Sequence, residues 1–127
     1  MEIRVKGSFY REWKYLSGEW KGDIYIFTNI RFPGGYDEDA REYVKREIQH
    51  SFRSYHWSYD PDDGYDLKIG FEMHPETKEE IERFSLDEFL QNLAEVVKNA
   101  LIGYKREKIK ESLTFEKEFV FQGFDIT

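Results

Sequence analysis

Phe84-Ser85-Leu86-Asp87-Glu88-Phe89 is the stretch that decides the fold, because it carries several independent signals of a helix start. Ser85 can accept a hydrogen bond from the N–H of Glu88, while the Glu88 carboxylate can reach back to the N–H of Ser85. Phe84 and Phe89 have the spacing of a hydrophobic staple, which fixes the direction in which the chain enters a helix. We therefore predict that a helix begins at this point.

The residues that follow this start repeat with the period of an amphipathic helix. Apolar side chains recur at intervals of three and four, which places them on one stripe of a helix with 3.6 residues per turn. The stripe consists of Leu86, Phe89, Leu90, Leu93, Val97, Ala100 and Leu101. Gly103 can adopt the left-handed conformation that closes a helix, and Lys105 and Arg106 suit the negative end of its dipole. The sequence predicts that the helix ends at Gly103.

The remainder of the chain alternates between apolar and polar residues, as strands with one buried face do. The predicted strands are residues 3–5, 9–16, 24–32, 65–73 and 113–126. We expect a hairpin loop at residues 17–23, a first helix from its N-cap Asp37 to about Ser54, and a short helical turn after Thr77. This order predicts an α+β fold: a mostly antiparallel sheet of about five strands with two main amphipathic helices packed on one face.

Length and composition limit the functional classes. A chain of 127 residues is expected to form a single domain, residues 1–127, with 18% aromatic and 35% charged residues. It has no cysteine, which excludes disulfides and thiolate metal sites and favours a reducing cytoplasm. It contains neither the apolar run of a signal peptide nor one of the roughly 18 residues that a membrane span needs.

The formal net charge of −7 is unevenly distributed. Residues 60–95 contain twelve acidic and three basic side chains, whereas residues 96–110 contain five basic side chains and one acidic one. Binding to a phosphate backbone generally needs a basic face, so we do not expect direct nucleic-acid binding. The distribution favours a basic protein partner, or serves solubility alone.

Motifs for phosphate binding and catalysis are absent from the sequence. There is no glycine-rich nucleotide-binding loop and no serine nucleophile elbow. His50, His56 and His74 are dispersed, so a zinc site would need the fold to bring ligands together. The acidic residues 60–66 do not match a calcium loop, because Gly64 falls at position 5 rather than position 6. We therefore expect no metal site, no cofactor and no catalytic residue.

Residues 55–64 are predicted to form a polar loop that is rich in aromatic side chains. Trp57 and Tyr59 lie beyond the apolar stripe of the first helix and run directly into a group of aspartates. Rigid aromatic anchors beside an acidic rim are typical of a surface that binds a basic partner. The alternative is that these rings cover the edge of the sheet. The predicted partner-binding residues are Tyr55, Trp57, Tyr59, Asp60, Asp62, Asp63 and Asp66.

These features predict a small, acidic, non-enzymatic binding protein that inhibits or regulates a basic partner, such as a nuclease or a DNA-binding protein. In composition the chain is similar to bacterial immunity proteins and phage-encoded anti-defence inhibitors, which are often small, acidic, cysteine-free and rich in aromatic residues. A further alternative is a structural or assembly subunit, with a homodimer formed through an exposed strand edge.

A nuclease is the remaining alternative. The predicted order of strands and helices resembles that of RusA-like Holliday-junction resolvases, which carry an Asp-x-Asp-Asn-Leu run at the start of a comparable helix and an acidic pair after it. Here the matching run, residues 85–89, keeps one acid in place of two, and residues 103–106 are basic. The resemblance implies a metal-dependent nuclease that would use Asp87 and Glu88. Helix capping explains both carboxylates without any activity.

Overall fold

The predicted fold class is confirmed by a computed structural model, which describes residues 2–52 and 55–115. Strands and helices occur in the order β1 (Arg4–Leu16), β2 (Glu19–Arg31), α1 (Glu38–Ser51), β3 (Tyr55–Tyr59), β4 (Leu67–Met73), α2 (Lys78–Glu82) and α3 (Leu86–Phe115). The strands form one antiparallel sheet, and α1 and α3 both contribute to the core on one side of it. The protein is therefore an α+β protein.

The strands lie side by side in the order β1-β2-β4-β3. β4 pairs antiparallel with both β2 and β3, so β2 and β3 run in the same direction with β4 between them. Helix α1 makes the crossover connection that such a parallel relationship requires. The described part of the chain has four strands rather than the predicted five.

The difference in strand number arises partly at Gly7. The two strands predicted at residues 3–5 and 9–16 are one continuous strand, β1, which passes through Gly7. A Cβ atom at Gly7 would lie 2.8 Å from Leu90 Cδ2, so the glycine allows α3 to pack closely on the strand. The prediction of a break here was wrong, because this glycine serves helix–strand packing.

The hairpin between β1 and β2 is also tighter than predicted. The expected loop at residues 17–23 is a turn of Ser17 and Gly18, both with positive φ, at 54° and 82°. Two residues with positive φ match the twist of the flanking strands in a short hairpin. Residues 19–23 therefore belong to β2, and the hairpin extends beyond the point where β2 stops pairing with β4.

Helix α3 starts as predicted but does not end at Gly103. The Ser85 hydroxyl accepts a hydrogen bond from the N–H of Glu88 at 3.3 Å, and the rings of Phe84 and Phe89 lie 6.1 Å apart. The helix continues through Gly103 to Phe115. Gly103 faces α1, where a Cβ would lie 3.0 Å from the Tyr43 hydroxyl, so this glycine allows the two helices to pack closely. Residues 113–115, predicted as the start of a strand, are helical, and residues 116–127 lie outside the described residues.

The core lies between the sheet and the two long helices, and the predicted apolar stripes face it. Buried residues come from β2, β4, α1 and α3, and an aromatic cluster links three of these elements. Phe71 of β4 lies 5.1 Å from Phe89 of α3 and 5.4 Å from Phe52, measured between ring centroids. These contacts fix which face of the sheet is covered.

Asp37 connects the two long helices at the end opposite the α3 cap. Its carboxylate accepts hydrogen bonds from the N–H of Ala40, as the predicted N-cap of α1, and from the Tyr104 hydroxyl of α3. These two hydrogen bonds lower the pKa of Asp37 below its ordinary value. Because a lowered pKa favours the carboxylate in the folded state, this contribution to stability is present at neutral pH and is lost as the pH falls.

Gly22 provides a test of the packing between β2 and α2. A Cβ at this position would lie 2.0 Å from Ile81 Cδ1 and 3.2 Å from the Trp13 ring, and Ile81 is buried. We expect Gly22→Ala to lower the free energy of unfolding by about 1–3 kcal/mol, the usual range for overpacking. Gly34→Ala is the matched control, because nothing lies within 4 Å of a Cβ there. Urea unfolding followed by circular dichroism measures both, and equal stability of the two variants would contradict the packing described.

Candidate binding surface

The face of the sheet opposite the helices, called the outer face here, carries aromatic side chains from three strands. On β2, the inner residues Ile24, Ile26 and Thr28 are buried, so the intervening Tyr25 and Phe27 point to the outer face. The strand register brings outer residues of β1 and β3 alongside them. The aromatic row, as we define it, consists of Tyr10, Tyr25, Phe27, Trp57 and Tyr59.

Tyr10, Tyr25, Phe27 and Tyr59 of the aromatic row form ring contacts across the strands. Tyr10 and Tyr25 are opposite each other on paired strands and stack, with ring centroids 4.9 Å apart and an interplanar angle of 21°. The Phe27 and Tyr59 centroids are 6.5 Å apart, although β4 lies between their strands. Gly70 makes this approach possible, since a Cβ there would lie 3.0 Å from the Tyr59 ring. These four rings therefore support one another, and Trp57 lies on the same face, opposite Gly70.

Trp57 and Tyr59 lie on a strand rather than on the predicted loop. Residues 55–59 form β3, which pairs with β4 at the edge of the sheet, so the prediction of a loop from residue 55 was wrong. The alternation of large and small residues in this short run fits a strand. Trp57 is 44% exposed and Tyr59 46%, and both point outward. Tyr55, the third predicted aromatic residue, is paired through its backbone with Glu72.

The connection between β3 and β4, residues 60–66, is called the acidic loop here. Asp60, Asp62 and Asp63 are exposed and follow Tyr59 directly. Asp62 forms an ion pair with Lys68 at 3.1 Å, and Lys68 is the strand partner of Tyr59. The structure thus brings these three predicted aspartates next to the exposed end of the aromatic row.

Asp66, the last predicted partner-binding residue, has a different environment. Its carboxylate accepts the N–H of Phe32 at 2.6 Å and lies 3.4 Å from the guanidinium of Arg41. These contacts connect the acidic loop to the end of β2 and to α1. Asp66 is therefore in a position to hold the loop in place, while the other three aspartates are exposed to solvent.

A second polar group lies at the opposite end of the outer face. His74 Nδ1 is 2.6 Å from Asp23 Oδ1, and His74 Nε2 is 3.8 Å from Glu72 Oε1. The Tyr25 hydroxyl donates a hydrogen bond to Glu72, and this bond, together with partial desolvation and the nearby carboxylates, raises the Tyr25 pKa far above its ordinary value. Sequence reasoning missed this group, because the strand register that joins Asp23 to His74 was not known.

The β1–β2 hairpin carries a second group of exposed apolar side chains, called the hairpin tip here. Trp13, Tyr15, Leu16 and Trp20 are all more than a third exposed, and the Tyr15 and Trp20 rings are in edge contact at 5.2 Å. These side chains are exposed because the two-residue turn extends both strands beyond the rest of the sheet.

Asp87 and Glu88, the residues of the nuclease alternative, are exposed in the first turn of α3. Over residues 2–52 and 55–115, the acidic and histidine side chains that gather as three potential metal ligands are Asp23, Glu72 and His74. Asp87 and Glu88 are not among them. The described geometry thus gives the nuclease alternative no assembled metal site at the start of α3.

Comparisons with family models, with curated proteins and with solved structures found no match to this chain. Within the described ranges, no helix combines the length and the apolar character that crossing a membrane requires. Functional inference therefore depends on the surface geometry alone.

Substitutions at Asp66 and Asp63 distinguish an aspartate that supports the acidic loop from one that is only exposed on it. We expect Asp66→Ala to lower the free energy of unfolding by about 1–3 kcal/mol, because the partly buried N–H of Phe32 loses its acceptor. Asp63→Ala, which changes an exposed carboxylate of the same loop, should change it by less than about 0.5 kcal/mol. Thermal and urea unfolding measure the difference. Equal stability of the two variants would show that Asp66 does not support the loop.

Proposed function

We propose that this chain is a non-enzymatic binding protein that inhibits or regulates a basic protein partner through the aromatic row and the acidic loop. The observation that carries the proposal is the juxtaposition of Trp57 and Tyr59, each nearly half exposed, with three exposed aspartates on one edge of an aromatic sheet face. A chain without cysteine is compatible with action in a reducing cytoplasm.

The aromatic row supplies what a protein interface needs at its centre. Trp and Tyr offer a large contact area at a low cost in side-chain entropy, and they are enriched among residues that dominate binding energy. Here the rings are held by a sheet, and Tyr10, Tyr25 and Phe27 pack against one another. A surface that is rigid before binding loses little conformational entropy when a partner docks.

The acidic loop gives the surface its preference for positive charge. Asp60, Asp62 and Asp63 are solvent-exposed, and the ion pair that Asp62 forms with Lys68 lies at the surface. Surface ion pairs of this kind contribute little to stability, so their carboxylates can exchange to lysines or arginines of a partner. The net charge of −7 adds a long-range attraction that accelerates encounter with a basic protein.

Single-stranded nucleic acid is the main competitor for an aromatic sheet face, because bases stack on exposed rings. One observation points in that direction: Lys6, Asn29 and Lys68 are aligned across three strands beside the rings. The aspartates next to Trp57 and Tyr59 and the overall negative charge oppose phosphate binding. The charge balance therefore favours a protein.

An assembly subunit is a second candidate, and one observation favours it. Within the described residues, β1 and β3 are the edges of the sheet, so each has backbone groups facing away from its one partner strand. A second copy that pairs along β3 would place its own strand beside Trp57 and Tyr59 in the plane of the sheet. Light scattering at low and high protein concentration distinguishes the candidates: a monomer at both favours the binding protein, and a concentration-dependent dimer favours assembly.

The proposal is tested by capture of partners from a native lysate of the source organism. The affinity of the chain for the purified partner is then measured. We expect the wild-type chain to retain one or more proteins with basic surfaces, and this retention to weaken as salt rises. The affinity of the Trp57→Ala/Tyr59→Ala variant for the same partner should be lower by at least about tenfold, as for central aromatic anchors. Trp20→Ala is the matched control, because it removes a 67% exposed tryptophan at the hairpin tip.

Charge is tested separately with the purified partner. Asp62→Asn/Asp63→Asn should slow association and reduce the salt dependence, whereas Glu79→Gln/Glu82→Gln on α2 should leave both unchanged. Two results would contradict the proposal. One is full affinity in the Trp57→Ala/Tyr59→Ala variant, and the other is tight binding of a labelled single-stranded oligonucleotide that these substitutions abolish.

A further inference from the structure

We propose that Asp23, Glu72 and His74 form a binding site for a divalent transition-metal ion, with Zn²⁺ as the ion that best fits this set of ligands. The group lies on the outer face where β4 ends, at the opposite end of that face from the acidic loop. Metal binding by this group goes beyond the proposed function, because it requires no protein partner.

The geometry places one potential ligand atom of each side chain close to the others. A carboxylate oxygen of Asp23, a carboxylate oxygen of Glu72 and a ring nitrogen of His74 lie within 4.8 Å of one another. Atoms that bind one Zn²⁺ ion at about 2.0–2.2 Å are separated by distances below roughly this value. Small rotations of the side chains are thus sufficient for all three to reach a common ion.

The backbone fixes these positions in advance. In the register between β2 and β4, Ile24 pairs with Met73 and Tyr25 pairs with Glu72. Asp23 directly precedes Ile24, and His74 directly follows Met73, so the two residues meet where the pairing between β2 and β4 ends. Asp23 and Glu72 lie on paired strands, and such ligands lose less conformational entropy on binding a metal than ligands on a loop do.

Charge at this end of the outer face also favours a cation. Glu12 of β1 is directly opposite Asp23 of β2, and like charges in such pairs destabilise a sheet. With Glu72, three carboxylates gather here, and Lys14 forms an ion pair with Glu12 at 3.5 Å. A divalent ion between Asp23, Glu72 and His74 would relieve this repulsion.

The chemistry of the ligands selects the class of metal. One imidazole with two carboxylates suits zinc and its neighbours among the transition metals, whereas Mg²⁺ and Ca²⁺ prefer oxygen ligands alone. Three protein ligands leave a coordination position for water, as in open zinc sites. The His74 side chain is 49% exposed, so that position is open to solvent.

Tyr25 links the site to the aromatic row. Its hydroxyl donates a hydrogen bond to Glu72, which is the type of outer contact that orients a ligating carboxylate. Its ring stacks on Tyr10 within the row. An ion held by Glu72 would therefore also restrain one ring of the proposed docking surface.

Isothermal titration of the metal-free chain with Zn²⁺ is the direct test. We expect one equivalent to bind to the wild type, and binding to weaken by at least about tenfold in His74→Ala and in Asp23→Asn, because each removes one of three ligands. His50→Ala is the matched control, since His50 is an exposed histidine outside the group, and it should bind as the wild type does. Circular dichroism verifies that each variant is folded, and Glu72→Gln provides a third ligand substitution.

Nuclear magnetic resonance of the histidine rings supplies a second readout. Addition of Zn²⁺ should shift the ring signals of His74, leave those of His50 and His56 unchanged, and raise the melting temperature of the wild type but not of His74→Ala. Three results would overturn the inference: no binding at millimolar Zn²⁺, undiminished affinity in His74→Ala, or shifts at His50 or His56 in place of His74. Loss of partner binding in the Trp57→Ala/Tyr59→Ala variant plays no part in this test.

Discussion

The alternation of side chains along β2 is the constraint on which the rest of the structure depends. Successive residues of a strand point to opposite faces, so burial of Ile24, Ile26 and Ile30 beneath the helices directs Tyr25 and Phe27 to the outer face. A shift of one residue in the register would exchange the two sets and expose the core. The same packing that stabilises the fold therefore determines which rings a partner can meet.

Strand pairing carries this constraint across the sheet. β1 and β4 both pair with β2, and β3 follows β4, so Tyr10, Trp57 and Tyr59 fall on the same face as Phe27. Gly70 leaves space for rings on either side of β4 to approach each other. The register also joins Asp23 to His74 at the end of β4, so both proposed sites are consequences of one pairing pattern. The acidic loop at one end and the mixed ligand group at the other give the outer face two distinct chemistries.

Local signals in the sequence predicted a large part of this fold. The Ser85 cap, the Phe84–Phe89 staple, the Asp37 cap and the apolar stripe of α3 depend on residues within one or two helical turns, and each is confirmed. Trp57 and Tyr59, for which the sequence left exposure and covering of the sheet edge open, are exposed and lie on a strand rather than on the predicted loop.

The errors concern residues whose role is set by a distant part of the chain. Gly7 and Gly103 resemble a strand break and a helix end, yet their partners are Leu90 and Tyr43 on other elements. Asp66 belongs by sequence to the acidic loop, and its contacts with Phe32 and Arg41 become visible only once β2 and α1 are in place. The group of Asp23, Glu72 and His74 required the register between two strands, which no local pattern specifies.

One face of the sheet is covered by helices, and the other presents aromatic rings to solvent. Nuclear magnetic resonance of the chain with a soluble gadolinium relaxation agent measures this difference, because the agent broadens the signals of exposed groups. We expect strong broadening of the Trp57 and Tyr59 ring signals, and protection of Phe71 and of the Ile26 methyl groups. Protection of Trp57 and Tyr59 to the same degree as Phe71 would contradict this arrangement of the two faces.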